Sequence, residues 1–202
     1  MPLSKRIFDI VFSIFLITVL SPIFICIIIA LYKFEGRPIL YVSERMRDIN
    51  SSFKLLKFRT MKEDPENTGV TGGDKSSRSS NIHLFLRKTR LDELPQLFNV
   101  LRGDMTFVGP RPPLRQYVND NRELYGRVLK CRPGVTGLAS LKFHRHEEIL
   151  LMRCNTAEET DIVYRRRCIP RKATLDLLYA ENWSLCLDVK LILATAIKPF
   201  KS

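Results

Sequence analysis

An uninterrupted stretch without ionisable charge, residues 10–32, restricts most strongly how this chain can fold. Its 23 residues exceed the roughly 20 that a helix needs to cross the hydrocarbon core of a bilayer. The stretch is too long for a signal peptide and lacks the small residues of a cleavage site. A core helix of a small soluble domain is rarely apolar on every side. The stretch therefore predicts a membrane-embedded segment.

Ser21 and Pro22 stand at the centre of this stretch. Proline removes one backbone hydrogen bond and clashes with the carbonyl of Thr18, so we expect a kink there. Both flanks are basic, which favours placing both on the cytoplasmic side. The flanking basic residues are Lys5, Arg6, Lys33 and Arg37. We predict a re-entrant helix that breaks at Ser21-Pro22 and enters and leaves one leaflet. The alternative is an ordinary kinked spanning helix whose freed carbonyl is satisfied by Ser21 or its neighbours.

The remaining residues, 37–202, form one basic domain on the cytosolic face, after a membrane-embedded part at residues 1–36. The formal net charge of +12 implies an anionic partner, and nucleic acid, anionic lipid and phosphorylated small molecules all qualify. The five cysteines are scattered without a Cys-x-x-Cys pair, which argues against a disulfide framework or a structural zinc site. A reducing, cytosolic environment fits this pattern.

Local patterns give a coarse assignment of secondary structure in the basic domain. Residues 37–42 and 53–61 predict a β-hairpin with a polar turn between the strands. Residues 62–81, rich in Gly and Ser, predict a surface loop that could act as a lid over substrate. Residues 82–98 predict helical segments interrupted near 89–95, and Gly103 predicts a helix C-cap. Residues 105–108 predict a strand.

The C-terminal half is mainly helical by the same criteria. Residues 114–131 and 147–167 predict helices, with a turn at 132–137 between them. Residues 173–200 predict helix that either belongs to the core or lies at the membrane interface. The fold class that follows is α+β, mainly helical with a small β-hairpin, an N-terminal re-entrant membrane helix and interfacial amphipathic helices.

Two adjacent carboxylates, Asp92 and Glu93, form the first cluster with chemical potential. Pro95 fits only the first turn of a helix, so both carboxylates lie at a helix N-terminus, where the dipole favours their ionised forms. An ionised aspartate can act as a nucleophile, and an ionised glutamate can hold a hard cation such as Mg²⁺. The alternative is that Asp92 merely caps the helix and Glu93 complements its dipole.

Basic residues form two further clusters. Arg111 lies between prolines in the sequence VGPRPP, and such rigid flanks reduce the freedom that the guanidinium loses on binding phosphate oxygens. The alternative is a rigid surface turn with a solvated arginine. A second basic set lies on a predicted strand and a helix end, where solvated faces are the common alternative. Its members are Lys57, Arg59, Arg87 and Lys88.

The sequence LRKTRLDELPQLFNVLRGDMTFVGPRPPL, residues 86–114, closely resembles the signature of the bacterial sugar transferase family, the monotopic phosphoglycosyl transferases. The segments KRIFD, KFRTM, RPGVTG and LDLLYAENWSLCLDVKLIL follow in the family's order. The resemblance spans nearly the whole chain, in the form of the minimal catalytic domain without additional membrane helices.

The resemblance implies a transferase in which Asp92 attacks the β-phosphoryl group of a UDP-sugar, expels UMP and holds a covalent phosphosugar. Polyprenyl phosphate then removes the phosphosugar, giving a polyprenyl diphosphate sugar in the first membrane step of glycoconjugate assembly. Glu93 would bind Mg²⁺, and Ser21-Pro22 would bend the membrane helix. Phosphate would be bound by Lys57, Arg59, Arg87 and Arg111.

The same resemblance implies a monotopic protein at the cytoplasmic face of the bacterial inner membrane. Its partners would be the UDP-sugar, the polyprenyl phosphate and membrane lipid, without nucleic acid, and homodimer formation stays open. Residues 80–83 and 138–150 depart from the family pattern, so the resemblance does not identify the sugar. The competing hypothesis is a membrane-tethered basic protein that binds nucleic acid or anionic lipid without catalysis, which gives no reason for carboxylates among basic residues.

Overall fold

The computed structural model describes residues 1–61 and 80–197. In this part of the chain, helices predominate around one antiparallel hairpin and one short parallel strand pair. This arrangement confirms the predicted fold class. The helices are α1 (Leu3–Glu35), α2 (Asn81–Thr89), α3 (Gln96–Arg102), α4 (Arg115–Asp120), α5 (Arg122–Val128), α6 (Leu138–Leu151), α7 (Ala157–Val163), α8 (Ile169–Glu181) and α9 (Leu185–Ile197), with a 3₁₀ turn at Leu91–Glu93 and a π turn at Tyr164–Cys168. The strands are β1 (Leu40–Met46), β2 (Ser52–Phe58), β3 (Thr106–Val108) and β4 (Gly134–Thr136).

Helix α1 continues through Pro22 as one element rather than as two separate helices. The Ser21 hydroxyl donates to the Thr18 carbonyl at 2.8 Å, which replaces the hydrogen bond that proline cannot make. The helix is long and apolar enough to cross a membrane, and few residues of its most apolar part are buried within the protein. It is therefore a candidate membrane segment. Whether its two ends lie on one side of the membrane stays a prediction, as does the division of the chain at residue 36.

The N-terminal end of α1 is fixed to the C-terminal part of the chain by a buried ion pair. The Lys5 ammonium donates to Asp188 at 2.5 Å and to the Tyr179 hydroxyl at 3.0 Å. The Asp188 carboxylate also accepts hydrogen bonds from the Tyr179 hydroxyl and the Trp183 indole. A buried charge is tolerated when it is both paired and hydrogen-bonded, as here. Lys5, the first residue of the motif KRIFD, thus fixes α1 against α8 and α9.

The next charged residues of α1 contact the centre of the domain. Arg6 donates to the carbonyl oxygens of Val100 and Leu101, at 2.6 and 2.7 Å, at the end of α3. The Val100 carbonyl also accepts from the Gly103 N–H at 3.0 Å, and a cation at this end of the helix complements the helix dipole. Asp9 accepts a hydrogen bond from the Phe107 backbone N–H of β3 at 3.2 Å.

The hairpin begins later and extends further than predicted. Strands β1 and β2 pair antiparallel from Leu40 opposite Phe58 to Met46 opposite Ser52. Residues 43–46, expected in the turn, therefore belong to β1. The turn is shorter because the Asp48 carboxylate accepts hydrogen bonds from the backbone N–H groups of Asn50 and Ser51, at 2.8 and 2.7 Å.

The predicted interruption between α2 and α3, the C-cap at Gly103 and the strand that begins near Met105 are confirmed. Gly103 takes the left-handed conformation, with φ of 86°. The predicted turn at residues 132–137 is wrong in part, because residues 134–136 form β4, which pairs parallel with β3. The predicted loop at 62–81 lies outside the described residues, except for its last two, of which Asn81 begins α2.

Helix boundaries in the C-terminal half differ from those predicted. Residues 114–131 form two helices that meet at Asn121 rather than one. The helix predicted at 147–167 is wrong in part: most of these residues are helical, but α6 begins at Leu138 and ends at Leu151, and α7 starts anew after Thr156. The Thr156 side chain accepts from the Glu159 N–H, a local cap that favours a new helix start. Helix α9 buries Leu191 in the core, and its placement at a membrane interface stays a prediction.

Glycines allow the loops after β3 and β4 to approach each other closely. The Gly109 N–H donates to the Thr136 carbonyl at 2.9 Å, and the Gly134 N–H donates to the Pro110 carbonyl at 2.8 Å. A Cβ atom on Gly134 would lie 2.2 Å from the Gly109 nitrogen, and one on Gly137 would lie 2.2 Å from the Gly109 carbonyl oxygen. Only glycine fits this crossing, because the obstructing atoms belong to backbone.

We predict that Gly134→Ala lowers the free energy of unfolding by at least about 2 kcal/mol, since the backbone must move to accept the methyl group. Gly126→Ala is the matched control, because this helical glycine faces only the Ile49 side chain at 4.0 Å. The control should be neutral or stabilising by about 0.5–1 kcal/mol. Denaturation of the detergent-solubilised proteins measures both effects. Equal stability of the two variants would contradict the role assigned to the crossing.

Candidate active site

The two carboxylates lie in the short 3₁₀ turn between α2 and α3. Helix α2 ends at Arg90, which takes the left-handed conformation with φ of 58°, an uncommon geometry for a residue other than glycine. Pro95 directly precedes the first residue of α3. Asp92 and Glu93 are thus positioned before a helix start, as Pro95 predicted. The strained residue and the proline together set the direction in which this turn leaves α2.

Glu93 is the point at which three segments of the chain meet. Its Oε1 accepts hydrogen bonds from Lys57 Nζ on β2, at 3.0 Å, and from Arg111 Nη2 after β3, at 2.8 Å. The side chain is only 11% exposed. Burial raises the pKa of Glu93, but the charges and hydrogen bonds of Arg111 and Lys57 outweigh burial and lower it strongly. Glu93 is therefore held ionised.

Asp92 is buried beside this cluster without sharing its hydrogen bonds. The residue is 8% exposed, and no side chain among residues 1–61 and 80–197 donates a hydrogen bond to its carboxylate. Burial and the charge of Glu93 raise the pKa of Asp92, and they outweigh Lys57, Arg87 and Arg111. The pKa of Asp92 is thus raised, against the expectation that its position at a helix start favours the ionised form. Asp92 is thus held by its place in the turn rather than by hydrogen bonds from the described side chains.

A buried amide aligns the strand that carries Lys57 with the helix that follows Glu93. Asn99 Oδ1 accepts from the Leu56 N–H at 3.0 Å, and Asn99 Nδ2 donates to the Lys54 carbonyl at 2.8 Å. Asn99 is fully buried on α3. Its amide therefore links the backbone of β2 to α3, and this link sets the position of Lys57 relative to Glu93. Sequence reasoning missed Asn99, whose only signal is a polar residue within an apolar helix.

The proline-rich loop holds Arg111 from both sides. Before it, Pro110 accepts the hydrogen bond from Gly134 described above. After it, the Pro113 carbonyl accepts from the Met46 N–H at 3.0 Å, which ties the loop to β1. The charge of Glu93 raises the pKa of Arg111. The Arg111 side chain is 40% exposed, so one side contacts Glu93 while another faces solvent.

The other predicted phosphate-binding residues separate into two groups. Arg87, on α2, donates through Nε to the Thr60 hydroxyl at 3.1 Å, and its charge acts on Asp92. The structure thus brings Lys57, Arg87 and Arg111 around the two carboxylates. Arg59 instead donates to the carbonyl of Glu35 at 2.7 Å and to that of Gly36 at 3.2 Å, at the end of α1. It is not part of this cluster.

Further polar and charged residues that no sequence pattern groups together lie near Arg111. Lys172 on α8 contacts both carboxylate oxygens of Glu147, at 3.1 and 3.2 Å, and the Tyr164 hydroxyl at 3.3 Å. Glu147 and Tyr164 both act electrostatically on Arg111. Burial lowers the pKa of Arg45 on β1, and the charge of Arg111 lowers it further. These residues come from β1, α6, the π turn and α8, so only the fold brings them together.

A divalent cation would have few protein ligands here. Among the described residues, no group of three or more His, Cys, Asp or Glu side chains could hold a metal ion. Mg²⁺, however, usually takes one or two carboxylates, with waters and substrate phosphates as its other ligands. Asp92 and the second oxygen of Glu93, which accepts no hydrogen bond from the described side chains, form such a set. The residues fit Mg²⁺ brought in with a diphosphate rather than an ion bound by protein alone.

Comparison with known proteins gives concordant matches. The family model described as "Bacterial sugar transferase" matches residues 2–202. The chain is 34% identical to a UDP-glucose:undecaprenyl-phosphate glucose-1-phosphate transferase of Klebsiella pneumoniae, over 97% of this chain and 40% of that protein. It is 33% identical to the exopolysaccharide production protein ExoY of Sinorhizobium fredii, over 96% of this chain and 84% of that protein. It is also 33% identical to the uncharacterized sugar transferase EpsL of Bacillus subtilis, over 96% of this chain and 86% of that protein.

The chain spans about 40% of the length of the Klebsiella transferase and of a transferase of the same description from Escherichia coli. It covers most of the length of the ExoY and EpsL proteins. In each case nearly all of this chain is matched, including α1 and the turn with both carboxylates. By the extent of the family match and by these identities, the chain belongs to the bacterial sugar transferase family.

Proposed function

We propose that this protein transfers a sugar phosphate from a UDP-sugar to polyprenyl phosphate, giving a polyprenyl diphosphate sugar and UMP. The observation that carries the proposal is the difference in environment between two adjacent carboxylates. Glu93 accepts hydrogen bonds from two cations, while Asp92 is buried and receives no hydrogen bond from the described side chains. The names of relatives support the substrate classes, since they specify UDP-glucose and UDP-N-acetylgalactosamine as donors and undecaprenyl phosphate as acceptor.

The first step is attack by an Asp92 oxygen on the β-phosphorus of the donor. A bond forms between this oxygen and phosphorus, the bond to the bridging oxygen breaks, and the electron pair leaves with UMP. In the second step, an oxygen of polyprenyl phosphate attacks the same phosphorus and displaces the Asp92 carboxylate. The enzyme is thereby restored, and no additional reactant is needed.

Lys57 and Arg111 place positive charge where the leaving UMP develops negative charge. Because the Arg111 guanidinium is partly exposed, it can contact a phosphate while it keeps its bond to Glu93. Bound Mg²⁺ would supply further neutralisation of the diphosphate, held by Glu93 and by Asp92. The raised pKa of Asp92 keeps its carboxylate more basic than an exposed aspartate, which favours attack by its ionised form.

We also propose that α1 is re-entrant, at the cytoplasmic face of the inner membrane. Both halves of α1 contact the short helix α3: Arg6 binds the carbonyls at its end, and Phe24 packs on Phe98 with ring centroids 6.0 Å apart. Pro22 at the centre of α1 and basic residues at both of its ends support the same topology.

The nucleophile is tested by trapping the covalent intermediate. UDP-sugars are first screened with the unmodified protein and Mg²⁺ for UMP release. With the active donor and no acceptor, Asp92→Asn should lose the phosphosugar mass adduct, because the amide is not a nucleophile. Glu93→Gln should form the adduct more slowly, because the amide leaves Lys57 and Arg111 without their anion. Intact-protein mass spectrometry measures both.

Asp120→Asn is the matched control for this experiment, because Asp120 forms an ion pair with Arg165 away from the cluster. It should retain the adduct. An adduct that persists in Asp92→Asn, or that maps to another residue by peptide sequencing, would exclude Asp92 as the nucleophile. Binding of UDP-sugars without UMP release would instead favour the non-catalytic alternative.

Arg111→Lys tests the fork geometry of the guanidinium. The charge is kept, but the contacts to Glu93 and phosphate can no longer be made together. Loss of one hydrogen bond to a charged group costs about 1.5–3 kcal/mol, so kcat/KM for the donor should fall roughly 10- to 150-fold. Arg115→Lys is the control, since Arg115 also binds a glutamate, Glu44, but at an exposed site. Equal rates for both variants would leave Arg111 with a structural role only.

The topology is tested by thiol labelling in intact cells. A single cysteine replaces Leu3 in a variant whose native cysteines are serine, and a second variant carries the single cysteine at Arg153 in the domain. Both should resist a membrane-impermeant maleimide added from the periplasm and react after the inner membrane is opened. Labelling of the residue-3 cysteine alone from the periplasm would show that α1 spans the membrane.

A further inference from the structure

An apolar groove lies between the second half of α1 and helix α2. Its volume is about 560 Å³. One wall is formed by Ile23, Cys26 and Ala30 of α1, and the other by Ile82 and Phe85 of α2. Spacings of three and four residues put the α1 side chains on one helix face. Because α1 is the candidate membrane segment, this groove is accessible to lipid from the side.

The groove ends next to the proposed nucleophile. Leu91, which precedes Asp92 in the 3₁₀ turn, also lines the groove. On the polar side of the same turn, Arg87 places its charge near Asp92, and its Nε is held by Thr60. An apolar surface thus continues into a site with a cation and a reactive carboxylate. This order of surfaces matches a lipid that carries a phosphate at the end of its chain.

We infer that this groove binds the phosphate-proximal isoprene units of the polyprenyl phosphate acceptor. The identity of the occupant rests on the proposed function. From Ile23 to Ala30 the α1 wall is about 10 Å long, so the groove takes only the first units and leaves the remaining chain in the bilayer. One apolar groove suits a lipid with one hydrocarbon chain that carries its phosphate directly at the end of that chain. A phospholipid has two chains and a glycerol between them and its phosphate.

Photo-crosslinking tests the site without requiring turnover. The unmodified protein, in nanodiscs, is irradiated with a polyprenyl phosphate that carries a diazirine on its first isoprene unit. The label should map to peptides of residues 22–30 and 81–91, and undecaprenyl phosphate should compete with it. Phosphatidylglycerol at the same concentration should not compete. Labelling elsewhere, or equal competition by phosphatidylglycerol, would overturn the inference, the latter by showing a general lipid surface.

A steric variant then tests whether the groove serves the second half-reaction. Ala30→Phe adds a ring inside the groove, and Ile29→Phe adds one on a neighbouring exposed position of the same helix. Ala30→Phe should raise the KM for undecaprenyl phosphate about tenfold or more, as expected when a ring occupies the space of the tail. Ile29→Phe should leave this KM unchanged.

The first half-reaction separates failure of this inference from failure of the proposed function. Adduct formation without acceptor should be the same in Ala30→Phe and in unmodified protein. If the unmodified protein forms no adduct, the proposed chemistry is excluded. The crosslinking experiment still tests independently whether the groove binds the polyprenyl chain. If the adduct forms normally and Ala30→Phe and Ile29→Phe change the acceptor KM equally, the groove is not the acceptor site.

Discussion

A single oxygen atom, Oε1 of Glu93, organises the candidate active site, because a strand and a proline-rich loop both send a cation to it. The two cations compensate for the burial of the Glu93 carboxylate, and Lys57 is mostly buried with it while Arg111 stays partly exposed. Removal of Glu93 would leave the mostly buried Lys57 ammonium without its anion, and such a loss costs about 3–5 kcal/mol for a buried pair. The same arrangement leaves Asp92 buried but outside the hydrogen-bond network, so the residue that holds the cluster together differs from the one proposed as the nucleophile.

The parts that hold this cluster are mostly uncharged. Asn99 fixes the distance between β2 and α3, and the crossing of Gly109 with Gly134 places the loop of Arg111. Both depend on backbone atoms that come within hydrogen-bonding or contact distance of residues far away in sequence. Contacts with the backbone therefore position the charged side chains of the site relative to one another.

The sequence predicts best those features that are determined locally. The apolar length of α1, the helix start at Pro95 and the cap at Gly103 each follow from the chemistry of a few neighbouring residues. Strand β4 was predicted only as a turn, because its three residues become a strand through pairing with β3. Glu147 and Arg45 could not be assigned to the site, since they interact with Arg111 from separate elements. The pKa of Asp92 depends on burial, which the order of residues does not reveal.

The ion pair between Lys5 and Asp188 also has a consequence for biosynthesis, because 183 positions separate its two members. At about 5–20 residues per second, the ribosome needs roughly 10 to 40 s to make Asp188 after Lys5. Throughout that interval the first helix has no partner for its ammonium group and lacks the helices α8 and α9 that later enclose it. The docking of α1 is therefore completed only after α9 has been made, so the first helix of the chain waits for the last of the described helices.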